Sequence, residues 1–235
     1  MEMKKTLVMA LAAVATFGAL SASAQVTRQL TTRDANGNIV DSGWAITISD
    51  PAVVDLIADS IIIQNGTVIV QKFAEFRTID PFTGLPQPVT IQFAQTLPDA
   101  QTMNRIIITD ELITNSTSVA FTAFRMALLP SSGVASFDPI ASAGFSTRTG
   151  AGNTGTGFNN TSFSNGNTEV IFTGGPGVGP GQVWAPGLVS GGLVINVDLS
   201  GSAPAIFTLK EIPLPTPGAA ALMGLGALAA TRRRR

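Results

Sequence analysis

Short apolar runs alternate with polar residues along most of the chain, and Gly, Pro, Asn and Asp punctuate them. A two-residue period carried by β-branched residues predicts strands rather than helices. Strands are expected at 26–33, 39–49, 61–64, 67–77, 88–95, 104–114, 118–129, 168–173, 192–199 and 205–210. Asn36-Gly37 and Asn65-Gly66 fall between consecutive runs and tolerate the positive φ of hairpin turns. Asn115-Ser116 reads as a third tight turn. One short helix is predicted from Pro51 to Ser60, with Asp50 as cap, Pro51 at the first helical position, and Val53, Val54 and Ile57 on one face. Between Gly144 and Gly187 the sequence turns to Gly, Asn, Ser and Thr, and an irregular excursion is expected around the strand at 168–173. The spacing is that of an all-β fold, an antiparallel β-sandwich of jelly-roll-like kind.

Both ends break this pattern. Residues 1–24, MEMKKTLVMALAAVATFGALSASA, carry Lys4 and Lys5, an apolar run from Leu7 to Leu20, and small residues at Ala22 and Ala24. That order is a secretory signal peptide, cut by signal peptidase to leave Gln25 first. At the other end, Pro213, Pro215 and Pro217 open a Pro-rich neck that also holds Leu214 and Thr216. An apolar run from Gly218 to Ala230 follows, and then Arg232, Arg233, Arg234 and Arg235. As a helix, 218–230 would reach about 20 Å, short of a hydrocarbon core of about 30 Å. The arginines would stay cytoplasmic, so the segment reads as a temporary hold at the inner membrane while the neck is cut.

The tail resembles the PEP-CTERM sorting signal of Gram-negative bacteria, in which a Pro-x-Pro motif, an apolar helix and an Arg cluster occur in that order. Here Pro215-Thr216-Pro217, or the overlapping Pro213-Leu214-Pro215, stands where the type motif has Pro-Glu-Pro. The resemblance implies processing by an exosortase-type enzyme and delivery to the cell surface or exopolysaccharide matrix. The stretch RIIITDELITNSTSVAFTAFRMALLPSSGVASFDP, residues 105–139, also resembles part of the β-sandwich domains of such proteins. The organisation expected is therefore a signal peptide at 1–24, a β-sandwich domain at 25–212 and a sorting signal at 213–235.

Composition narrows the chemistry of the domain. His 0 and Cys 0 remove Ser-His-Asp and Cys-His catalysis, His or thiolate metal sites and disulfides. Between 25 and 212 there are 8 basic and 14 acidic residues, a net charge of −6, which disfavours nucleic acid as a partner. Asp110 and Glu111 are adjacent, and strand neighbours face opposite sides, so they are not expected to flank one glycosidic bond. Asp55 and Asp59 would share a solvated helix face. Lys72 and Lys210 are the only lysines in the domain, and neither sits in a Ser-Lys motif. The Asp34–Asn38 segment with Asp41 offers oxygen ligands, yet its glycine and missing glutamate depart from a calcium loop, and a hairpin turn accounts for it. Phe121 and Phe124 are expected on opposite faces of their strand, as core residues. Trp44 and Trp184 offer surfaces for sugar stacking. No cofactor or metal is expected. The leading reading is a non-enzymatic, exported structural or adhesive protein, with a carbohydrate-binding module of the matrix as alternative and a surface hydrolase behind it.

Overall fold

A computed structural model describes residues 25–215 except 34–35, 51–52, 65, 131–133, 144, 146–155 and 188–191. The described chain is nearly all β. Its strands are β1 (Val26–Arg33), β2 (Ile39–Ile48), β3 (Val54–Gln64), β4 (Thr67–Phe76), β5 (Val89–Gln95), β6 (Arg105–Asn115), β7 (Phe121–Leu129), β8 (Ala135–Phe137), β9 (Asn160–Ser164), β10 (Glu169–Val178), β11 (Val183–Trp184), β12 (Leu193–Val197) and β13 (Ile206–Pro215). They form two sheets. The first runs β1-β2-β5-β13-β7-β10-β9 and the second β3-β4-β6-β12-β8, with β11 also paired to β6. The pairing is antiparallel except between β4 and β6, which run parallel. Inward residues of both sheets meet in one apolar core, a sandwich-like arrangement.

Of the predicted helix at 51–60, the residues from Val54 on are strand instead, and 51–52 lie outside the described residues. Val53 and Val54 each donate a backbone hydrogen bond to the Asp50 carbonyl, so one turn forms there, and the chain then extends into β3. β-branched side chains favour that outcome once β4 supplies a ladder to pair with. The β3–β4 hairpin does close at Gly66, whose φ is 74°. The β1–β2 connection is longer than a two-residue turn, because Arg33 pairs with Ile39; Gly37 supplies its left-handed residue at φ 83°. Asn115 does not close a hairpin: β6 and β7 belong to different sheets, and the chain crosses the core at that corner. Its side chain fastens the crossing, donating to the carbonyls of Val119 and Val178 at 2.8 Å each and accepting from Thr117. The Gly- and Asn-rich region contributes three strands, β9, β10 and β11, around the residues left undescribed.

Two bulges redirect side chains. On β7, Ala123 pairs with Leu214 and Phe121 with Pro215, so Thr122 is an extra residue opposite β13. The alternation slips there, and Phe121 and Phe124 both become fully buried rather than facing opposite ways. On β6, Thr109 pairs with Gln71 and Leu112 with Phe73, which places an extra residue in the Asp110–Glu111 stretch. Inward positions accordingly run Ile106, Ile108, Glu111, Ile113.

β13 extends through Pro213, Leu214 and Pro215, residues the sequence reading assigns to the neck. Its ladder with β5 ends at Glu211, while its ladder with β7 continues to Pro215. The prolines therefore occupy the stretch with a neighbour on one side only, where a strand tolerates a missing N–H.

Candidate functional site: a buried lysine between two glutamates

Among the described residues, the core holds one cluster of charged groups. On β4 the inward side chains are Val68, Val70, Lys72, Ala74 and Phe76; on β13 they are Phe207, Leu209, Glu211 and Pro213. Lys72, Glu111 and Glu211 thus each take a middle inward place among apolar neighbours, two from the second sheet and one from the first. The Lys72 Nζ contacts Glu111 Oε1 and lies 2.6 Å from Glu211 Oε1. All three residues are at most 3% exposed. Their charged atoms meet only one another: none has a further hydrogen-bond partner among the described residues.

Burial without outside partners is costly for charge, and two carboxylates cannot both be matched by one ammonium. Burial, and after it the charge of Glu211, hold the Glu111 carboxyl well above the usual carboxylate range, against the pull of Lys72. Burial by itself would lower the Lys72 ammonium, but the combined charges of Glu111 and Glu211 outweigh it and raise the group. With one proton retained on Glu111, the cluster contains an ammonium, a carboxylate and a carboxylic acid, and is electrically neutral. Chemically it places an amine in contact with two carboxyl groups in a dry, fixed setting.

Sequence reasoning named Lys72 and Glu111 separately and missed Glu211. A signal was present for two of the three: Lys72 is in phase with Val68, Val70, Ala74 and Phe76, and Glu211 with Phe207 and Leu209, so each is a charge written into an apolar register. Glu111 is out of phase with Ile106 and Ile108 by the bulge residue, and nothing in the local sequence announces that bulge. Glu111 and Glu211 do converge, but inside a closed core where no substrate reaches them, so the pair is not placed to flank a glycosidic bond.

No family model, curated protein or solved structure matches this chain.

The remaining candidates are dispersed. Trp44 and Trp184 are fully buried and present no face for sugar stacking. Trp44 donates its Nε1 hydrogen to the Met103 carbonyl at 2.8 Å, and Trp184 is packed edge-on by Phe124, Phe158 and Phe172. Asp41 accepts from the Gln29 amide and the Gly43 N–H, each at 2.8 Å to its Oδ1, which employs it in bracing β1 against β2. Asp55 and Asp59 fall on β3 rather than on a helix. Lys210 pairs through its backbone with Thr90 and Ala127, between two strands. A surface recess of about 340 Å3 lies between the 95–99 and 201–204 segments, and no aromatic side chain lines it. Ala22, Ala24, Thr216, Pro217 and Arg232, Arg233, Arg234 and Arg235 lie outside the described residues, as does the 218–230 segment. No helix among the described residues is long and apolar enough to cross a membrane.

Proposed function

We propose that this protein is an exported, non-enzymatic component of a bacterial cell surface or extracellular matrix, with a structural or adhesive role, built on a jelly-roll-like β-sandwich. The observation that carries the reading is the pairing of a domain whose reactive and aromatic side chains are turned inward with terminal sequences that have the order of export and sorting signals. Both tryptophans, most of the phenylalanines and the Lys72–Glu111–Glu211 cluster are spent on the interior, which suits a scaffold more than a turnover site. Delivery would follow the sequence: signal peptidase releases Gln25, the apolar tail and its arginines hold the chain at the inner membrane, and an exosortase-type enzyme cuts the neck. The described strand reaches Pro215, so a cut that leaves the sheet intact falls beyond that residue.

Fractionation of the native host with intact-mass analysis of the protein tests this reading. The expected product begins at Gln25, lacks Arg235 and lies in the surface or matrix fraction. A species that retains both termini in the inner membrane overturns it. Binding of that product to the producer's own polysaccharide, with loss of binding after substitutions in the recess near Asp99, would move the assignment to the carbohydrate-binding alternative.

A further inference from the structure

The contact between Lys72 and its glutamates goes beyond that reading and is independent of how the protein is sorted. We propose that the Lys72 Nζ condenses with the Glu111 side-chain carboxyl to form an internal amide between β4 and β6, with Glu211 of the opposite sheet relaying the protons. The geometry provides what the reaction needs: nucleophile and acyl group in contact, a second carboxyl 2.6 Å from the same nitrogen, and no bulk water around them. Fixing reactants in this way replaces a bimolecular step by an intramolecular one, with effective molarities on the order of 10⁵ M or more when alignment is good.

The step balances without any outside reagent. The ammonium of Lys72 gives a proton to the Glu211 carboxylate, leaving a neutral amine. The amine nitrogen attacks Cδ of the protonated Glu111 carboxyl, and a C–N bond forms. Glu211 passes its proton to one of the two oxygens on the tetrahedral carbon and takes one from the nitrogen. The C–O bond then breaks, and one water departs. A second exchange of that kind leaves Glu211 as a neutral acid able to donate a hydrogen bond to the new amide oxygen. An ammonium, a carboxylate and an acid become an amide, an acid and water.

Burial also sets the direction. In water an amine and an acid remain apart because their ions are strongly solvated, and that solvation is what the core withholds. Condensation removes the positive and negative charges together, whereas ion pairing keeps both in a medium that penalises them. Glu111 enters in the form the attack requires, since its carboxyl holds its proton far above the ordinary range. Only the folded chain assembles the group, because Glu211 comes from the other sheet. The cross-link therefore forms once, on folding.

Mass spectrometry of the purified full chain decides the matter. The expected intact mass is about 18 Da, one water, below that of the sequence after allowance for the termini found. Trypsin does not cut after an acylated lysine, so the digest should contain a branched species joining residues 34–77 to residues 106–125. Lys72→Met should abolish both signals. Glu211→Gln should retain the full mass or lose water many-fold more slowly. Wild-type protein at its full sequence mass overturns the proposal, and that measurement needs no variant to fold. A branch from Lys72 to the peptide that begins at Glu211 overturns the roles given to the two carboxyls, and undiminished cross-linking in Glu211→Gln overturns the relay.

Discussion

Phe121 faces the same way as Phe124 despite the odd spacing between them, and both meet the ring of Phe76 edge-on, at centroid separations of 5.6 and 5.7 Å. Thr122 makes this arrangement: as the extra residue of the bulge it remains exposed while Phe121 and Phe124 turn inward. Phe121→Ala and Phe124→Ala should each lower stability by about 3–5 kcal/mol in urea unfolding. Deleting Thr122 removes the bulge and leaves Phe121 two positions before Phe124, on the same inward face, so it should cost clearly less than either alanine substitution. Thr122→Ala keeps the bulge and should stay within about 0.5 kcal/mol of the parent.

Asn115 offers a second test, at the corner where the chain passes between sheets. Asn115→Ala removes the donor to the Val178 carbonyl and the acceptor of Thr117, both buried, and should cost about 2–3 kcal/mol. Asn115→Asp keeps the shape but cannot donate as a carboxylate, so its thermal midpoint at neutral pH should be no better than that of the alanine variant.

The charged cluster predicts a pH dependence whose sign is fixed. Glu111 binds its proton more tightly in the folded than in the unfolded chain, so the stability it contributes is complete below the unfolded carboxyl value and is lost as pH rises through the folded one. Lys72→Met removes the charge that opposes this shift and also prevents any cross-link. Its stability in denaturant titrations should fall over the window above the unfolded carboxyl value, as pH rises toward the raised folded value of Glu111, by up to about 1.4 kcal/mol per pH unit. Replacing Glu111 and Glu211 by Leu in the same variant should flatten the profile over that window and raise the midpoint at its upper end.

Gly177 and Gly181 separate backbone strain from collision. Both are left-handed, at φ 72° and 73°, but a Cβ on Gly177 would lie 2.2 Å from the Phe121 carbonyl oxygen, and one on Gly181 would meet nothing within 4 Å. Gly181→Ala should cost about 1–2 kcal/mol from its conformation alone. Gly177→Ala should cost clearly more, because backbone must also move, and calorimetry of the two variants side by side measures the difference.

Strand positions were legible in the sequence wherever alternation ran unbroken between turn residues, as in β1, β4 and β5. Legibility failed where pairing with a distant partner reversed a local preference, as at Pro51–Ser60, whose cap and apolar face are helical signals that the β4 ladder overrides. It failed again at Thr122 and at the Asp110–Glu111 stretch, since a bulge is set by register with a neighbouring strand and leaves no composition behind. The charged cluster lay between these cases. Lys72 and Glu211 could be recognised as polar residues in apolar phase, but nothing local could show that residues 139 positions apart in the chain come together. The parallel contact of β4 with β6, which seats Lys72 beside Glu111, was equally out of reach, because it depends on the order in which strands are laid into the sheet.

The position of β13 has a temporal consequence. This last described strand lies between β5 and β7, so both remain without their shared neighbour until residues 206–215 are in place. A chain delivered amino end first, from a ribosome or through a channel, cannot close its seven-stranded sheet along the way. Both ladders of β13 reach far back along the sequence, to β5 and β7, the kind of topology that folds slowly. Completion of the fold is thereby coupled to the arrival of Pro215, and a partly delivered chain carries an open gap at the centre of its sheet.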